Sequence, residues 1–400
     1  MYLWLLLNKP YISNYMDKIK ILELCHFSEG ICGVWNRVKE ESTRLADKGY
    51  EVSVFSSNAI KGSNEVASAN EIIGNFKIKR FPYIKLGGES FSFWNFTKEA
   101  LDYSPDIIIA HVYRQIHTTK ALEIKKELKR LGKKCVVFLV THAPFNQDNS
   151  ERGILASLSV KFYDKFIGKR IINKFDRVIT ISNWEVSHLK KIGVQNKRLF
   201  YIPNGVPEIF FRSESKQGDD NKILFLGRVS PVKNLEIVIS VLNKVDKQYY
   251  FEIVGPIEGN YKEKLQYLAK KQGVEKRIIF SKKIYDIKEK IRKLDSSLFF
   301  ILSSKREGMP QSLIEAMARG RICIGSDVDG IKDLIKNKIN GFTFEKGNIV
   351  SLADLLNNIN KLDYKKLRSI SKQSVIFASK FKLDMIANKL NNLIKEELSK

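Results

Sequence analysis

The stretch 297-SLFFILSSKREGMPQSLIEAMARGRICIGS-326 decides how this chain is read. Two short, almost continuously apolar runs, 297–304 and 322–326, bracket a loop and a small-residue helix. Runs of this kind suit strands buried on both faces of a parallel sheet. Glu307 then sits where the loop leaves the carboxyl end of a strand. A helix is expected from about Gln311, and its first N–H groups have no partner within the helix. Those groups and the helix dipole favour an anion. Glu315 is expected in the first turn. Each glutamate has a second reading: Ser312-Leu313-Ile314-Glu315 fits a capping box, and Glu307 fits an exposed loop acid. Spacing alone leaves these readings level.

The same rhythm runs outward from this stretch. Upstream, 223-ILFLG-227, 250-YFEIVG-255 and 277-RIIFS-281 read as strands, and 342-FTFE-345 follows downstream. An earlier series reads 18-KIKILELC-25, 51-EVSVFSS-57, 106-DIIIAHV-112, 134-KCVVFLVTH-142, 176-DRVITIS-182 and 199-LFYIP-203, with amphipathic stretches such as 33–49 and 117–132 between them. This is an α/β chain of two Rossmann-like, doubly wound parallel-sheet domains facing each other across a cleft. Its 400 residues fit that division, since single domains run to about 100–200 residues. The expected bounds are 1–15 as an extension outside the fold, 16–203 as the N-terminal domain, 204–221 as a linker and 222–375 as the second domain. Residues 376–400 form a last helix with room to pack back on the N-terminal domain. In such sheets ligands bind beyond the carboxyl ends of the strands, so chemistry is sought just after each strand.

The apolar run near Met1 is about six residues, far short of the roughly 20 needed to span a bilayer. It lacks the features of a signal peptide, and Met16 stands directly before the first strand. The four cysteines, Cys25, Cys32, Cys135 and Cys323, have no metal-like spacing and fit a reducing compartment. The net charge of +25 comes mostly from lysine. It has two readings, compositional drift and attraction to anionic surfaces; no nucleic-acid-binding pattern accompanies it.

A second loop carries chemistry. After 223-ILFLG-227 comes Gly227-Arg228-Val229-Ser230-Pro231-Val232-Lys233-Asn234. A tight turn and two cations at a strand's carboxyl end suit a diphosphate, although a solvated basic loop reads the same way.

Taken together these residues resemble the retaining glycosyltransferases of family 4, which have the GT-B fold. Glu307 and Glu315 match that family's E-x7-E signature. Further matches follow in order: 29-EGICGVWNRVKEESTRLADKGYEVSVFS-56, 105-PDIIIAHVY-113, 140-VTHAPF-145, 176-DRVITISNW-184, 201-YIPNGV-206, 227-GRVSPVKN-234 and 324-IGSDVDGIKDLI-335. The resemblance implies that Arg228 and Lys233, beside Gly227, clamp the diphosphate of a nucleotide-sugar donor. It implies backbone donors near Gln311, Ser312 and Leu313, a ribose contact from Glu315, and sugar contacts from Glu307, Gly308 and Met309. Gly33 would approach the phosphates from the N-terminal domain, and Asn204, with Gly205, would line the cleft. His142, and more weakly His111, would stand near donor sugar and acceptor. The base would lie near 281-SKKIYD-286.

Three departures are visible. Cys32-Gly33 replaces a Gly-Gly pair, Asn234 replaces a glycine, and Pro310 replaces a glycine and so removes one backbone donor. Asp327-Val328-Asp329 has a D-x-D form, but it follows a strand of the second domain, where the resemblance expects a turn. Neither metal nor cofactor is expected, since the two cations can supply the electrostatics.

The implied enzyme is a retaining glycosyltransferase acting on a saccharide or lipid-linked acceptor, in glycan, glycolipid or cell-surface polysaccharide synthesis. The alternatives are a nucleotide-sugar epimerase of the same fold and a non-catalytic nucleotide-sugar-binding partner. Segment 151–200 holds eleven Lys and Arg against four Asp and Glu. Within it, residues 154–175 read either as a basic amphipathic helix on an anionic bilayer or as a core helix with a solvated face. The protein is expected to be cytoplasmic and, on the first reading, peripheral at the inner membrane face.

Overall fold

The computed structural model describes residues 18–30, 32–85, 92–145, 160, 162–212 and 218–400. The expected extension at 1–15, Met16, much of the 154–175 segment and part of the 204–221 linker lie outside these residues.

The first domain carries β1 (Lys20–Leu24), β2 (Glu51–Ser57), β3 (Asn70–Ile73), β4 (Phe76–Phe81), β5 (Tyr83–Lys85), β6 (Ser92–Trp94), β7 (Ile107–His111), β8 (Val136–Val140), β9 (Arg177–Thr180) and β10 (Leu199–Tyr201). Its main sheet has the order β10-β9-β8-β7-β1-β2-β4-β3. Every pairing is parallel except that of the edge strand β3 with β4. The second domain carries β11 (Asp219–Leu226), β12 (Tyr250–Val254), β13 (Ile278–Ser281), β14 (Ser297–Leu302), β15 (Ile322–Ser326) and β16 (Phe342–Phe344). These form an all-parallel sheet of order β13-β12-β11-β14-β15-β16. Strand order reverses between β7 and β1 in the first sheet and between β11 and β14 in the second.

The strands read from continuous apolar runs all form, and β7, β8 and β15 are buried at every position. Strands β3 to β6 were not among those expected. In β4, 76-FKIKRF-81, apolar residues alternate with lysines, the signature of a strand near a solvated edge; its partner β3 is mostly exposed.

Two segments cross between the domains side by side. Val206 N–H donates to Phe381 O at 2.8 Å, and Leu383 N–H donates to Val206 O at 3.0 Å. A Cβ on Gly205 would lie 2.8 Å from the Leu383 Cα, so this crossing needs glycine. The last helix begins at Leu383 rather than near 376; residues up to Ala378 belong to the preceding helix, Tyr364–Ala378. Helix Leu383–Leu398 lies against the first domain, where Tyr50 Oη donates to Asn391 Oδ1 at 3.0 Å and Arg44 Nε meets Asp384 Oδ1 at 2.9 Å.

Candidate active site

The reversal between β11 and β14 is where a doubly wound sheet opens a crevice, and the two expected loops leave from it. After β11, the turn Pro231–Lys233 presents Lys233. After β14, the loop presents Glu307. Lys233 Nζ meets Glu307 Oε1 at 2.6 Å, and Ser304 Oγ donates to the same oxygen at 2.6 Å. Arg228 is 43% exposed and meets Glu258 Oε2 at 2.9 Å, so each expected cation rests on a glutamate.

The helix runs Gln311–Ala318, with Pro310 flanking it and no side-chain cap. Ser312 therefore lies inside the helix and the capping-box reading fails. Glu315 sits in the second turn rather than the first, buried, with Oε1 2.7 Å from Lys290 Nζ. Its Oε2 has no hydrogen-bond partner among the described residues. The Leu313 N–H donates to Pro310 O at 3.2 Å, whereas no described acceptor meets those of Gln311 and Ser312. Gly308 carries the close approach of the domains: a Cβ there would lie 2.9 Å from the Ala143 Cβ.

The reversal in the first sheet has a different lining. Glu23 on β1, His111 at the end of β7, and Arg37 and Glu41 on the inner face of helix Gly33–Asp47 are all buried. Glu23 Oε2 and His111 Nε2 are 2.6 Å apart, and His111 Nδ1 and His142 Nε2 are 2.9 Å apart. Arg37 forms an ion pair with Glu41 at 2.8 Å and donates to Ile202 O at 2.9 Å and Asn204 Oδ1 at 3.2 Å. Burial pushes the Glu23 carboxyl up to about 8, against the opposing charge of Arg37. Burial drives His111 down to about 3, and with His111 and Arg37 nearby it holds His142 well below the ordinary imidazole value. Both imidazoles are neutral at ordinary pH. Gly33 opens its helix with free space where a Cβ would stand.

Strain gathers at the same place. Val112, Arg114, His142, Ala143 and Asn234 all have positive φ, at the carboxyl ends of β7, β8 and β11; such conformations persist only where neighbours enforce them. Glu185 enforces two of them. Its carboxylate accepts from Ala143 N at 2.6 Å, Ile181 N at 2.8 Å and Ser182 N at 3.1 Å, and also from Thr141 Oγ1.

The domains meet around these loops. Asn204 Nδ2 donates to Met309 O at 3.3 Å, and Trp184 Nε1 donates to Gly308 O at 3.1 Å. Asp333 Oδ2, from the second domain, accepts from Asn183 N at 2.8 Å and Trp184 N at 3.2 Å, thereby capping a helix of the first. A cleft of about 1300 Å³ is walled by Phe27, Glu29, Lys39 and Lys61 of the first domain and by Arg228, Glu258, Lys283 and Tyr285 of the second; of the expected site residues Arg228 lines it, whereas Lys233, Glu307, Glu315 and His142 do not. Tyr285 places the 281–286 segment on that wall.

Asp327 Oδ1 accepts from Lys346 N at 2.8 Å, and Asp329 lies 3.7 Å from Lys332. Among the described residues, Glu23, Glu41 and His111 bring ligand atoms within 4.8 Å of one another, but the Arg37 guanidinium already supplies the cation beside Glu41. Sequence reasoning missed Glu23, Arg37, Glu41 and Glu185. For Glu185 a signal existed, the Ser182-x-x-Glu185 spacing just after a strand. For Glu23 the signal was one acid inside an otherwise apolar strand.

Comparison with known proteins fits this geometry. The family model described as Glycosyltransferase Family 4 matches residues 31–208, and that described as Glycosyl transferases group 1 matches 207–375. Over 385 residues the chain is 25% identical to an uncharacterized glycosyltransferase of Methanocaldococcus jannaschii, covering 90% of this chain and 95% of that one. It is 28% identical over 275 residues to the UDP-Gal:alpha-D-GlcNAc-diphosphoundecaprenol alpha-1,3-galactosyltransferase of Escherichia coli, covering 64% of this chain and 67% of that one. Among solved structures it is similar to HepE of Anabaena in complex with UDP and glucose. The TM-score is 0.72 at 18% identity, covering 94% of this chain and 100% of that one, a likeness of fold. The architecture is GT-B and the protein is an enzyme, a glycosyltransferase. The chain belongs to glycosyltransferase family 4.

Proposed function

We propose that this glycosyltransferase takes its sugar from a nucleotide-sugar donor and transfers it with retention to a saccharide or lipid-linked acceptor. The observation that carries the reading is the Lys233–Glu307 pair at the β11/β14 reversal, beside the open N-terminus of helix Gln311–Ala318. A diphosphate there draws Lys233 from Glu307 and Arg228 from Glu258, and finds the amides of Gln311 and Ser312 as further donors. Glu307 is then free to hold sugar hydroxyls. The unpartnered Oε2 of Glu315 is suited to a ribose hydroxyl. The relatives add support: one is named for a UDP-galactose donor and a diphosphoundecaprenol acceptor, and HepE was solved with UDP and glucose.

Retention by double displacement needs a free carboxylate beneath the sugar. Glu307, taken up by sugar hydroxyls and by Ser304, does not suit that role. A same-face substitution fits better, with the two cations stabilising the departing diphosphate. No metal is required, so transfer is expected to continue in chelator. The acceptor docks on the N-terminal domain, near His142. On the same domain the described part of the basic segment exposes Phe162, Phe166 and Ile167 among Lys165, Lys169 and Arg170, which suits peripheral attachment to an anionic inner membrane face. No helix among the described residues is long and apolar enough to cross a membrane.

The test is a panel of nucleotide sugars scored by thermal shift and then by transfer. The reading expects stabilisation by one donor and by its nucleoside diphosphate, abolished in Lys233→Ala. Conversion of the donor with no acceptor present would make the protein an epimerase instead. Failure to float with anionic vesicles at low salt would remove the membrane part alone.

A further inference from the structure

We propose that Glu23 is the proton store for His142: a positioning residue that acts through His111 to decide whether His142 Nδ1 carries a proton or a lone pair. The geometry points to it. Glu23 Oε2, His111 and His142 are joined in series at 2.6 and 2.9 Å through Nε2 and then Nδ1 of His111. The chain starts at a wholly buried carboxylate and ends at a half-buried histidine. His142 uses Nε2 inward, so its other ring nitrogen, Nδ1, is the one left for a ligand; no described group bonds to it.

Two arrangements satisfy these contacts. With Glu23 protonated, its O–H donates to His111 Nε2, His111 Nδ1–H donates to His142 Nε2, and His142 carries its own proton on Nδ1. When a proton leaves His142 Nδ1, the His111 Nδ1 proton moves to His142 Nε2 and the Glu23 proton moves to His111 Nε2. Glu23 is then a carboxylate and His142 Nδ1 is an acceptor. One proton has left the protein, and both rings stay neutral throughout. That matters because burial, with His111 and Arg37 nearby, opposes an imidazolium at His142. A lone histidine here would be a poor proton carrier; one backed by a buried acid is a usable one.

The groups facing Glu23 are Arg37 and Glu41 from helix Gly33–Asp47, His111 from β7 and Cys25 just beyond its own strand. Burial raises the Glu23 carboxyl to about 8 despite Arg37, so the exchange falls within a working range. The use of this chain in transfer rests on the function proposed above; its existence does not.

The test is made first on the free protein. With histidine labelled by nitrogen-15, the His142 signal is identified by its loss in His142→Asn and followed from pH 6 to 10. The proposal expects one transition, from the Nδ1–H to the Nε2–H form, and its disappearance in Glu23→Gln, which has no proton to lose. A His142 that keeps one tautomer across the range overturns the proposal, as does a transition that persists in Glu23→Gln. Should that variant not fold, the wild-type titration still decides, and His111→Gln is expected to hold His142 in one form. The second measurement is kcat against pH with a working donor and acceptor. Glu23→Gln should flatten the profile and leave the donor KM unchanged; an unaltered profile means Glu23 only fills space. If no donor is ever turned over, the function fails while the nitrogen-15 transition can still stand.

Discussion

The two sheets reverse their strand order at corresponding places and furnish those places in opposite ways. At β11/β14 the polar groups stand at the rim: Lys233 and Glu307 are paired, and Arg228 is largely solvated. At β1/β7 they are sunk in the core, with Glu23, Arg37, Glu41 and His111 shut from water. Charges that keep some exposure can exchange one charged partner for another. Charges in a core must be satisfied by one another and held still. On the function proposed here, the second domain binds charge and the first fixes the orientation and protonation of a few groups.

The largest effect expected from this contrast comes from the rim. Lys233→Ala should slow transfer by about 10²–10³-fold, the scale for losing one stabilising group at a developing charge, while thermal unfolding stays close to wild type. Initial rates beside a melting curve check it, and a variant that melts early but transfers normally would reverse the assignment of the two halves. The core should respond in the other sense. Glu185→Ala leaves several buried donors unmet and should cost about 2–4 kcal/mol of stability, measured by denaturant unfolding. Arg228→Ala, exposed and already resting on Glu258, should cost only about tenfold in kcat/KM, near the worth of one charge-assisted hydrogen bond. At the seam, Asp333→Ala removes the cap that one domain gives the other and should cost about 1 kcal/mol, visible as a larger radius of gyration in solution scattering.

A separate effect is on pH dependence. The Glu23 carboxyl titrates near 8 when folded, above its unfolded value. The folded state therefore holds the extra proton between those values, and stability falls as pH rises through that window. The contribution is complete below the ordinary carboxylate range and gone above about pH 8. A melting temperature that declines from pH 6 to 9 in wild type, and less so in Glu23→Gln, checks the sign.

The strands of both sheets, the position of Glu307 beyond β14 and the lysine beyond β11 could be read from sequence, because continuous apolar runs and strand-end loops are local properties. Strands β3 to β6 were not read, since short alternating stretches at an edge resemble loops. Glu315 shows a sharper limit: the spacing was right, but whether Ser312 capped the helix depended on Pro310 and on where the chain entered.

By itself, then, the sequence determined the α/β rhythm, the two halves and the strand-end residues that mark the family, since periodicity and composition act along the chain. Only the tertiary structure decided which polar groups meet. Glu23, His111 and His142 are 88 and 31 residues apart in the chain, and Glu185 reaches back across 42 residues to Ala143. Burial and hydrogen bonding are set by what packs in space, so no local pattern could have announced which of those groups bond to one another.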